Sequence, residues 1–278
     1  MPDLARLQPL LRRAVLDAGV IAMAAFGQGG RSWEKEPGQI LTETDLAVDR
    51  ALKASLGEIL ASAAWLSEET ADDGLRLERA RVWVVDPIDG TRSFAKGLPE
   101  FTISVALVED HRPVLACLLN PATGECFEAR AGGGATLNDR RLSVTEPAEV
   151  STARIVLSAG ERKKRDFQAF FPTAAVSTIG SLAYKMALVA CGRFDAYFSW
   201  RRSHDWDIAA ALLVLEEAGG RATDRSGQPL QLNQPEPRHQ GLIAASPGLH
   251  AHLAAVSQSR LAATTTSDHG LPALATPR

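Results

Sequence analysis

The run Val82-Trp83-Val84-Val85-Asp86-Pro87-Ile88-Asp89-Gly90-Thr91 has the clearest local pattern in the chain. Its first four residues are β-branched or aromatic and predict a short buried strand. The proline that follows predicts the end of this strand, because the residue before a proline is conformationally restricted. Polar side chains at the end of an element can converge in a cleft. The run therefore predicts a buried strand with Asp86 and Asp89 at its end.

The segments on either side of this run predict a mixture of helix and strand. Apolar residues recur at helical spacing from Leu4 to Phe26, and a second helix is predicted after Thr42 or Thr44, with Asp45 in its first turn. Further strands are predicted at 101–108, 113–119, 125–129, 155–158 and 196–198, and further helices at 181–190 and 208–218. By itself, periodicity supports a mixed α/β fold.

The chain is predicted to divide into two parts. Turn residues and Pro147 cluster between Asn138 and Val150, which places an N-terminal α+β part at 1–140 and a C-terminal α/β part at 141–256. From residue 257 onward the sequence is rich in Ala, Thr, Ser and Pro with little periodicity. We therefore expect a flexible tail at 257–278.

The composition restricts the class of protein. The 278 residues include 33 acidic and 30 basic ones, and this net charge of −3 argues against binding to nucleic-acid polymers. No apolar run approaches the roughly 20 residues that span a bilayer, so no membrane association is expected. Three scattered cysteines, Cys117, Cys126 and Cys191, are typical of free thiols in a reducing cytoplasm.

Several carboxylates have an ordinary structural explanation when each is taken alone. Asp89-Gly90 is a common turn, Glu68-Glu69 a common solvated pair, and Asp207 a common helix cap. Their combination is more specific. The chain contains, in order, Thr42-Glu43-Thr44-Asp45, Trp65-Leu66-Ser67-Glu68-Glu69, Asp86-Pro87-Ile88-Asp89-Gly90-Thr91 and Trp206-Asp207-Ile208-Ala209-Ala210. From about Leu4 to Ala245 it resembles the inositol monophosphatase superfamily.

This resemblance implies a Mg²⁺-dependent site with two or three ions. Hard Mg²⁺ prefers oxygen ligands and needs only a few carboxylates beside a phosphate. The resemblance assigns Glu68, Asp86 and the Ile88 carbonyl to one ion. It assigns Asp86, Asp89 and Asp207 to a second ion, so that Asp86 bridges the two.

The resemblance also implies hydrolysis of a phosphate monoester by direct attack of water. The backbone N–H groups at Gly90 and Thr91 suit a phosphate, and Thr91 with Asp45 would orient and deprotonate the water. Glu68 is counted with these two among the catalytic residues. A different phosphatase class uses a nucleophilic aspartate in an Asp-x-Asp motif. The wider spacing of Asp86 and Asp89 disfavours such a covalent phosphoenzyme.

The substrate is predicted from weaker features. Inositol phosphatases typically carry a glutamate near Ser199, which this chain lacks, whereas Ser181 and Lys185 are similar to a Gly-Ser-x-x-Lys region of 3′(2′),5′-bisphosphate nucleotidases. Lys185, with Arg201 or Arg202, would meet a second phosphate, and Trp200 would stack on a base. Packing for Trp200 and solvation for the arginines are the alternatives. The first hypothesis is hydrolysis of 3′-phosphoadenosine 5′-phosphate to AMP and phosphate.

Other functions stay open at this point. Inositol 1-phosphate, histidinol phosphate and sugar bisphosphates are alternative small-molecule substrates, since relatives accept them. Some superfamily members are protein partners in RNA synthesis and processing, which is an alternative of another class. The resemblance further implies a layered αβαβα sandwich and admits a homodimer.

Overall fold

A computed structural model describes residues 4–28, 32–36, 39–147, 149–163 and 175–267. The helices are α1 (Leu4–Ala25), α2 (Glu43–Ile59), α3 (Thr91–Ala95), α4 (Ala159–Arg162), α5 (Leu182–Ala190), α6 (Asp205–Glu217) and α7 (Pro247–Ser267). Short 3-10 helices lie at Leu75–Glu78 and Val150–Thr152. The strands are β1 (Ser32–Glu36), β2 (Gln39–Thr42), β3 (Ala64–Ser67), β4 (Arg81–Asp89), β5 (Thr102–Glu109), β6 (Arg112–Asn120), β7 (Glu125–Arg130), β8 (Gly134–Leu137), β9 (Arg140–Arg141), β10 (Arg154–Leu157), β11 (Ala175–Thr178), β12 (Ala196–His204), β13 (Arg221–Thr223) and β14 (Arg238–Ala245).

Two mixed sheets organise these elements. The larger sheet has the order β3-β4-β5-β6-β7-β8-β9, in which β3 and β4 are parallel and the other neighbours antiparallel. The smaller sheet has the order β11-β10-β12-β14-β13 and combines parallel with antiparallel pairs. A separate hairpin pairs β1 with β2.

Alternation along the strands places the helices in layers. In β4, Trp83 and Val85 pack with α1 and α2, whereas Val82 and Val84 pack with α5 and α6 on the opposite face. The smaller sheet covers the far side of α5 and α6, and its outer face packs on α7. Because successive strand residues point to opposite faces, apolar runs can bury both sides of a sheet. The predicted αβαβα sandwich is confirmed.

The strand β4 extends further than its sequence predicts. It continues through Pro87 to Asp89, with an irregular register against β5 between Asp86 and Asp89. Asp86 pairs with Ser104 and Asp89 with Thr102, so β4 has one residue more than its partner over this interval. A bulge of this kind accommodates a proline, because the extra residue interrupts the regular ladder.

Two further boundaries differ from expectation. The strand β12 continues from Phe198 to His204 through a bulge between Ser199 and Arg202. The helix α7 continues past residue 257 to Ser267, so the chain is not irregular from 257 as its composition predicts. The hydroxyl of Ser257 donates to the Arg225 carbonyl and the amide of Gln258 to the Ser226 carbonyl, which anchors this helix. Residues 268–278 lie outside the described residues.

The two longest helices occupy opposite outer layers. The helix α1 buries one apolar face that includes Leu11, Val15 and Ala22, and α7 packs through Leu249 and Leu253. In the ranges that the structure describes, neither these helices nor any other combines the length and apolarity that a bilayer span needs.

Candidate active site

The parallel pairing of β3 with β4 brings the first two predicted site residues to one edge of the larger sheet. Ser67 pairs with Val85, and the Glu68 amide donates to the Val85 carbonyl at 3.3 Å. Glu68 and Asp86 therefore follow directly after paired residues of neighbouring parallel strands, Glu68 just past the end of β3 and Asp86 where the bulged end of β4 begins. Ligand sites of open α/β sheets commonly form at such ends.

Asp86 is the buried centre of an acidic cluster. Its side chain is 1% exposed. Burial raises the pKa of Asp86 well above its ordinary value, and the negative charges of neighbouring acidic groups raise it further. In order of influence, these neighbours are Glu68, Asp89, Asp207 and Asp45. The other four carboxylates of the predicted site therefore lie close enough to Asp86 to oppose its ionisation.

Asp89 is held by the N-terminus of α5. Its carboxylate accepts hydrogen bonds from Ser181 Oγ at 2.5 Å, the Ala183 amide at 2.6 Å and the Leu182 amide at 3.2 Å. Burial and the charge of Asp207 raise the pKa of Asp89 to about 6, against the opposing effects of the Ser181 hydrogen bond and the Lys185 charge. The N-terminal positive end of a helix favours a carboxylate at this point.

Asp207 reaches the same cluster from the first turn of α6. Its Oδ2 accepts from the backbone amide of His204 at 2.6 Å, which completes a capping arrangement at the helix N-terminus. Ser104, the β5 partner of Asp86, donates to the Trp206 carbonyl at 3.5 Å. This contact aligns the start of α6 with the bulged end of β4.

Asp45 and Thr91 are adjacent, as the resemblance implies. Thr91 Oγ1 lies 3.3 Å from Asp45 Oδ1 and 3.0 Å from the Ile88 carbonyl oxygen. Asp45 Oδ2 accepts from the Thr42 amide at 2.9 Å and from the Thr42 hydroxyl, in a capping box at the start of α2. Burial raises the pKa of Asp45 to about 6. A carboxyl group with such a pKa can accept a proton near neutral pH.

The donor set at this edge fits Mg²⁺. It consists of carboxylates and the Ile88 carbonyl, which are hard oxygen donors. The strongest neighbouring influences on buried Asp86 are all carboxylates, so a divalent cation would neutralise an unfavourable concentration of charge. Among the described residues, no three acidic, histidine or cysteine side chains already converge closely enough to hold an ion. Asp89 and Asp207 instead direct oxygens at backbone amides.

Gly90 is needed at its position for two reasons. Its φ of 99° lies in the left-handed region. A Cβ atom at this position would approach the Glu100 carbonyl oxygen to 2.6 Å and the Ser181 Cβ to 3.2 Å. Gly90 therefore allows β4, the start of α3 and the start of α5 to meet beside the acidic cluster.

Two residues predicted to contact substrate are buried supports instead. Ser181 is fully buried, and its hydroxyl both donates to Asp89 and accepts from the Tyr184 amide as the N-cap of α5. Lys185 is 1% exposed, and its Nζ donates to the carbonyls of Ile179 and Gly180 at 3.1 and 3.2 Å. Burial lowers the pKa of Lys185 to about 8. A buried ammonium group already bonded to carbonyls is poorly placed to meet a second phosphate.

The base-stacking position predicted for Trp200 is also not formed. Its ring packs edge-on against Phe198, with centroids 5.1 Å apart, on the outer face of the smaller sheet beside α7. The Arg225 guanidinium lies over the same ring at 5.8 Å. The α5 and α6 helices lie on the opposite face of this sheet. Arg201 and Arg202 are exposed, as in the solvated alternative.

Sequence patterns missed a support for Glu68. Asp49, one turn after Asp45 on α2, is 5% exposed. It accepts from the Ser67 hydroxyl and from Thr70 Oγ1, the latter at 2.8 Å. The spacing of four residues places Asp45 and Asp49 on the same helix face and could have indicated their shared orientation.

Comparisons with known proteins show which family this chain resembles in sequence and fold. The model of the inositol monophosphatase family matches residues 3–262. An inositol-1-monophosphatase of Rhizobium meliloti is 36% identical over 226 residues, which cover 77% of this chain and 84% of that protein. A fructose-1,6-bisphosphatase/inositol-1-monophosphatase of Thermotoga maritima is 36% identical over 202 residues, covering 70% and 76%. The solved Thermotoga maritima IMPase has a TM-score of 0.80 at 28% identity, covering 90% of this chain and 96% of that one.

The layered fold and its acidic cluster thus define a phosphatase that hydrolyses phosphate monoesters. The chain belongs to the inositol monophosphatase family, whose members depend on Mg²⁺.

Proposed function

We propose that this phosphatase hydrolyses a small inositol phosphate, with inositol 1-phosphate as the preferred substrate class, by direct attack of water. The observation that supports this choice over a bisphosphate nucleotide is the position of Lys185. The nucleotide hypothesis depends on this lysine, and its Nζ is buried on two backbone carbonyls. Relatives that match most of the chain carry inositol monophosphatase names, which supports the same choice.

Five groups would hold the ions in this proposal. Glu68, Asp86 and the Ile88 carbonyl would bind one Mg²⁺, and Asp86 with Asp89 and Asp207 would bind a second. When bound, Mg²⁺ supplies positive charge that stabilises the developing negative charge on the phosphoryl oxygens. Hydrogen bonds from the Ala183 and His204 amides, which fix the orientation of the Asp89 and Asp207 carboxylates, support this assignment.

Asp45 and Thr91 would activate the attacking water. Thr42 holds Asp45 Oδ2, which leaves Oδ1 toward Thr91. Thr91 Oγ1 can donate to this carboxylate while accepting a hydrogen bond from water, so that a proton passes toward Asp45. The raised pKa of Asp45, about 6, makes it a stronger base than an ordinary aspartate.

The phosphate would lie at the start of α3. This helix begins at Thr91, directly after Gly90 in its left-handed conformation. Backbone N–H groups at a helix start attract phosphate oxygens. The same two residues would therefore bind the phosphate and place its phosphorus atom near the water held by Thr91.

A panel of phosphate-release assays tests this proposal. The substrates are inositol 1-phosphate, 3′-phosphoadenosine 5′-phosphate, histidinol phosphate and fructose 1,6-bisphosphate, each measured with Mg²⁺ and with EDTA. We expect the highest kcat/KM for inositol 1-phosphate and no release in EDTA. A higher value for the nucleotide would overturn the substrate assignment. A phosphorylated aspartate trapped with labelled substrate would overturn direct attack by water.

A cytoplasmic location is part of the same proposal. Cys117 and Cys126 are free thiols whose sulfur atoms lie 3.7 Å apart in the core. Unpaired cysteines are typical of a reducing compartment. Fractionation of the native cells with thiol labelling tests this location, and recovery of the protein in an oxidised form would contradict it.

A further inference from the structure

Arg76 is a buried arginine that joins the two halves of the chain. It lies in the 3-10 helix Leu75–Glu78 and is 1% exposed. Its Nη1 donates to Asn233 Oδ1 at 2.6 Å, across 157 residues of sequence. Within the N-terminal half, Arg76 Nε and Nη2 lie 3.0 and 2.9 Å from Asp72 Oδ2. Burial of a guanidinium group is costly unless its N–H donors are hydrogen-bonded. These contacts therefore form a specific link between the two halves of the chain.

Asn233 continues this connection to the start of α6. Its backbone amide donates to Asp205 Oδ2 at 2.5 Å, and Asp205 Oδ1 lies 2.7 Å from His239 Nε2. Asp205 is fully buried and is the first residue of α6, two residues before Asp207. Asn233 has a φ of 54°, a left-handed conformation that asparagine tolerates better than most residues. Arg76, Asn233 and Asp205 are called the Arg76 bridge below.

The other end of the bridge leads back to Glu68. The segment from Ser67 to Arg76 contains Glu68 near its start and Asp72 near its end. Asp49 fixes the start through the hydroxyls of Ser67 and Thr70. Arg76 and Asp72 fix the end. Asp49 thus holds the residues on both sides of Glu68 to α2, and Arg76 links the end of the same segment to the start of α6 through Asn233.

We propose that the Arg76 bridge is a positioning device that sets the separation of Glu68 from Asp207. These two carboxylates come from different halves of the chain and meet around Asp86. This inference rests on the proposed function, in which Glu68 and Asp207 hold Mg²⁺. The bridge residues do not touch the ions or the substrate in this scheme. They hold the two carboxylates near their final separation before an ion binds, so that less conformational freedom is lost on binding.

Loosening the bridge is expected to weaken metal binding more than substrate binding. All proposed ligands remain present, but their separation varies more before an ion arrives. Residues that orient metal ligands typically change metal affinity by about 10- to 100-fold when they are mutated. At saturating Mg²⁺ the ligands are ordered again, so the KM for inositol 1-phosphate is expected to stay within about twofold, on the same reasoning.

The substitution Asn233→Gly tests the bridge with a matched control. Glycine keeps the left-handed backbone and the amide that reaches Asp205, but it removes the oxygen that accepts from Arg76 Nη1. The contacts of Arg76 with Asp72 and, at 3.4 Å, with the Pro235 carbonyl remain. The control is Asn138→Gly. Asn138 has a φ of 48°, and its Oδ1 accepts from the Cys126 amide at 2.9 Å in the β8–β9 turn. Both variants therefore lose a side-chain acceptor at a left-handed position.

The first measurement is the affinity of the full chain for Mn²⁺ alone, monitored by the electron paramagnetic resonance of the ion. The second is the Mg²⁺ concentration dependence of phosphate release. We expect about tenfold weaker Mn²⁺ binding in Asn233→Gly, by analogy with other residues that orient metal ligands, and wild-type binding in Asn138→Gly. Asn233→Asp keeps an oxygen acceptor for Arg76 and is expected to restore binding.

The outcomes separate this inference from the proposed function. Wild-type Mn²⁺ affinity in a folded Asn233→Gly variant overturns the bridge and leaves the phosphatase proposal intact. If Asn233→Gly does not fold, Arg76→Lys, which keeps a buried cation without the forked contacts, takes its place under the same criterion. A wild-type chain that neither binds Mn²⁺ nor releases phosphate overturns both.

Discussion

Ser181 donates a hydrogen bond of 2.5 Å to Asp89, across 92 residues of sequence. Asp89 ends a strand of the larger sheet, and Ser181 begins α5 behind it. Asp89 also accepts from the amides of Leu182 and Ala183. A carboxylate from the N-terminal half is thus oriented by a helix start from the C-terminal half, and the serine supports a proposed metal ligand.

Replacing this serine is expected to affect metal affinity and stability together. Ser181→Ala removes an N-cap, which typically costs about 1 kcal/mol of stability. It also removes one of the two hydrogen bonds to Asp89 Oδ2 and leaves the one from the Ala183 amide. We expect a lower free energy of unfolding and a severalfold higher Mg²⁺ concentration for half-maximal activity. Ser158→Ala, which removes the N-cap of α4, is the control and should lower stability alone. An unchanged Mg²⁺ requirement in Ser181→Ala would contradict the support of Asp89.

The proposed general base can be removed without changing its shape. Asp45→Asn should lower kcat by about 10²-fold or more, because general base catalysis contributes on that order. Mg²⁺ binding should persist, since Asp45 is not a proposed ligand. The variant should be at least as stable as the wild type near pH 7, because burial disfavours the charged carboxylate. Steady-state kinetics and thermal unfolding check these expectations, and an unchanged kcat would remove Asp45 from the mechanism.

Binding of Mg²⁺ at the acidic cluster should increase the stability of the folded protein. A ligand that binds only the folded state stabilises by about 2.7 kcal/mol at one hundred times its Kd. We expect Mg²⁺ to raise the Tm of the wild type. Asp86→Asn should raise the Tm without Mg²⁺, since it relieves repulsion around a buried charge, and should abolish the Mg²⁺ effect. The exposed Asp73→Asn serves as the control, and an equal Mg²⁺ effect in all three proteins would refute the ion site.

Lys185→Met distinguishes a buried support from a substrate contact. The lysine Nζ bonds the Ile179 and Gly180 carbonyls and lies 5.1 Å from the Tyr197 ring centroid. We expect kcat/KM for inositol 1-phosphate and for 3′-phosphoadenosine 5′-phosphate to fall by the same factor. A selective loss of the nucleotide reaction would instead restore the second-phosphate hypothesis. Tm measurements should show lower stability, because the two carbonyls lose their donor.

His250 predicts a pH dependence of stability that is separate from the active site. Burial lowers the pKa of His250 from 6.5 to about 4, and its Nε2 lies 3.0 Å from Thr223 Oγ1. Between these pH values the unfolded chain binds a proton here that the folded chain does not. The contribution of neutral His250 to the free energy of unfolding is therefore fully present above pH 6.5 and is lost progressively as the pH falls toward 4.

The measurement compares urea unfolding of the wild type and His250→Gln at pH 7.5 and pH 5. We expect the wild type to lose more free energy of unfolding over this interval than the variant. His252→Gln, at an exposed position two residues further along α7, should behave as the wild type does. Equal pH dependence in the wild type and His250→Gln would show that His250 does not contribute.

Local sequence patterns predicted those elements whose causes are local. The apolar periodicity of α1, the Thr42 cap of α2 and the apolar run that begins β4 all appear in the structure. Each depends on residues within a few positions of one another. The length of β4 beyond Pro87 was not predictable in this way, because the bulge depends on its pairing with β5.

The residues of the candidate site also fall into those that local sequence could predict and those whose role depends on tertiary contacts. The residue types of the site and their order could be predicted from the sequence, and so could the family that they indicate: Asp45, Glu68, the Asp86–Thr91 run and Asp207. Which of the predicted side chains are accessible depends on the tertiary structure. The Lys185 side chain is buried against Tyr197 of the smaller sheet, and Trp200 lies on the face that packs on α7, since the elements that cover them come from distant segments. The burial of a side chain depends on which distant elements pack against it, and the residues next to it in sequence do not specify those elements.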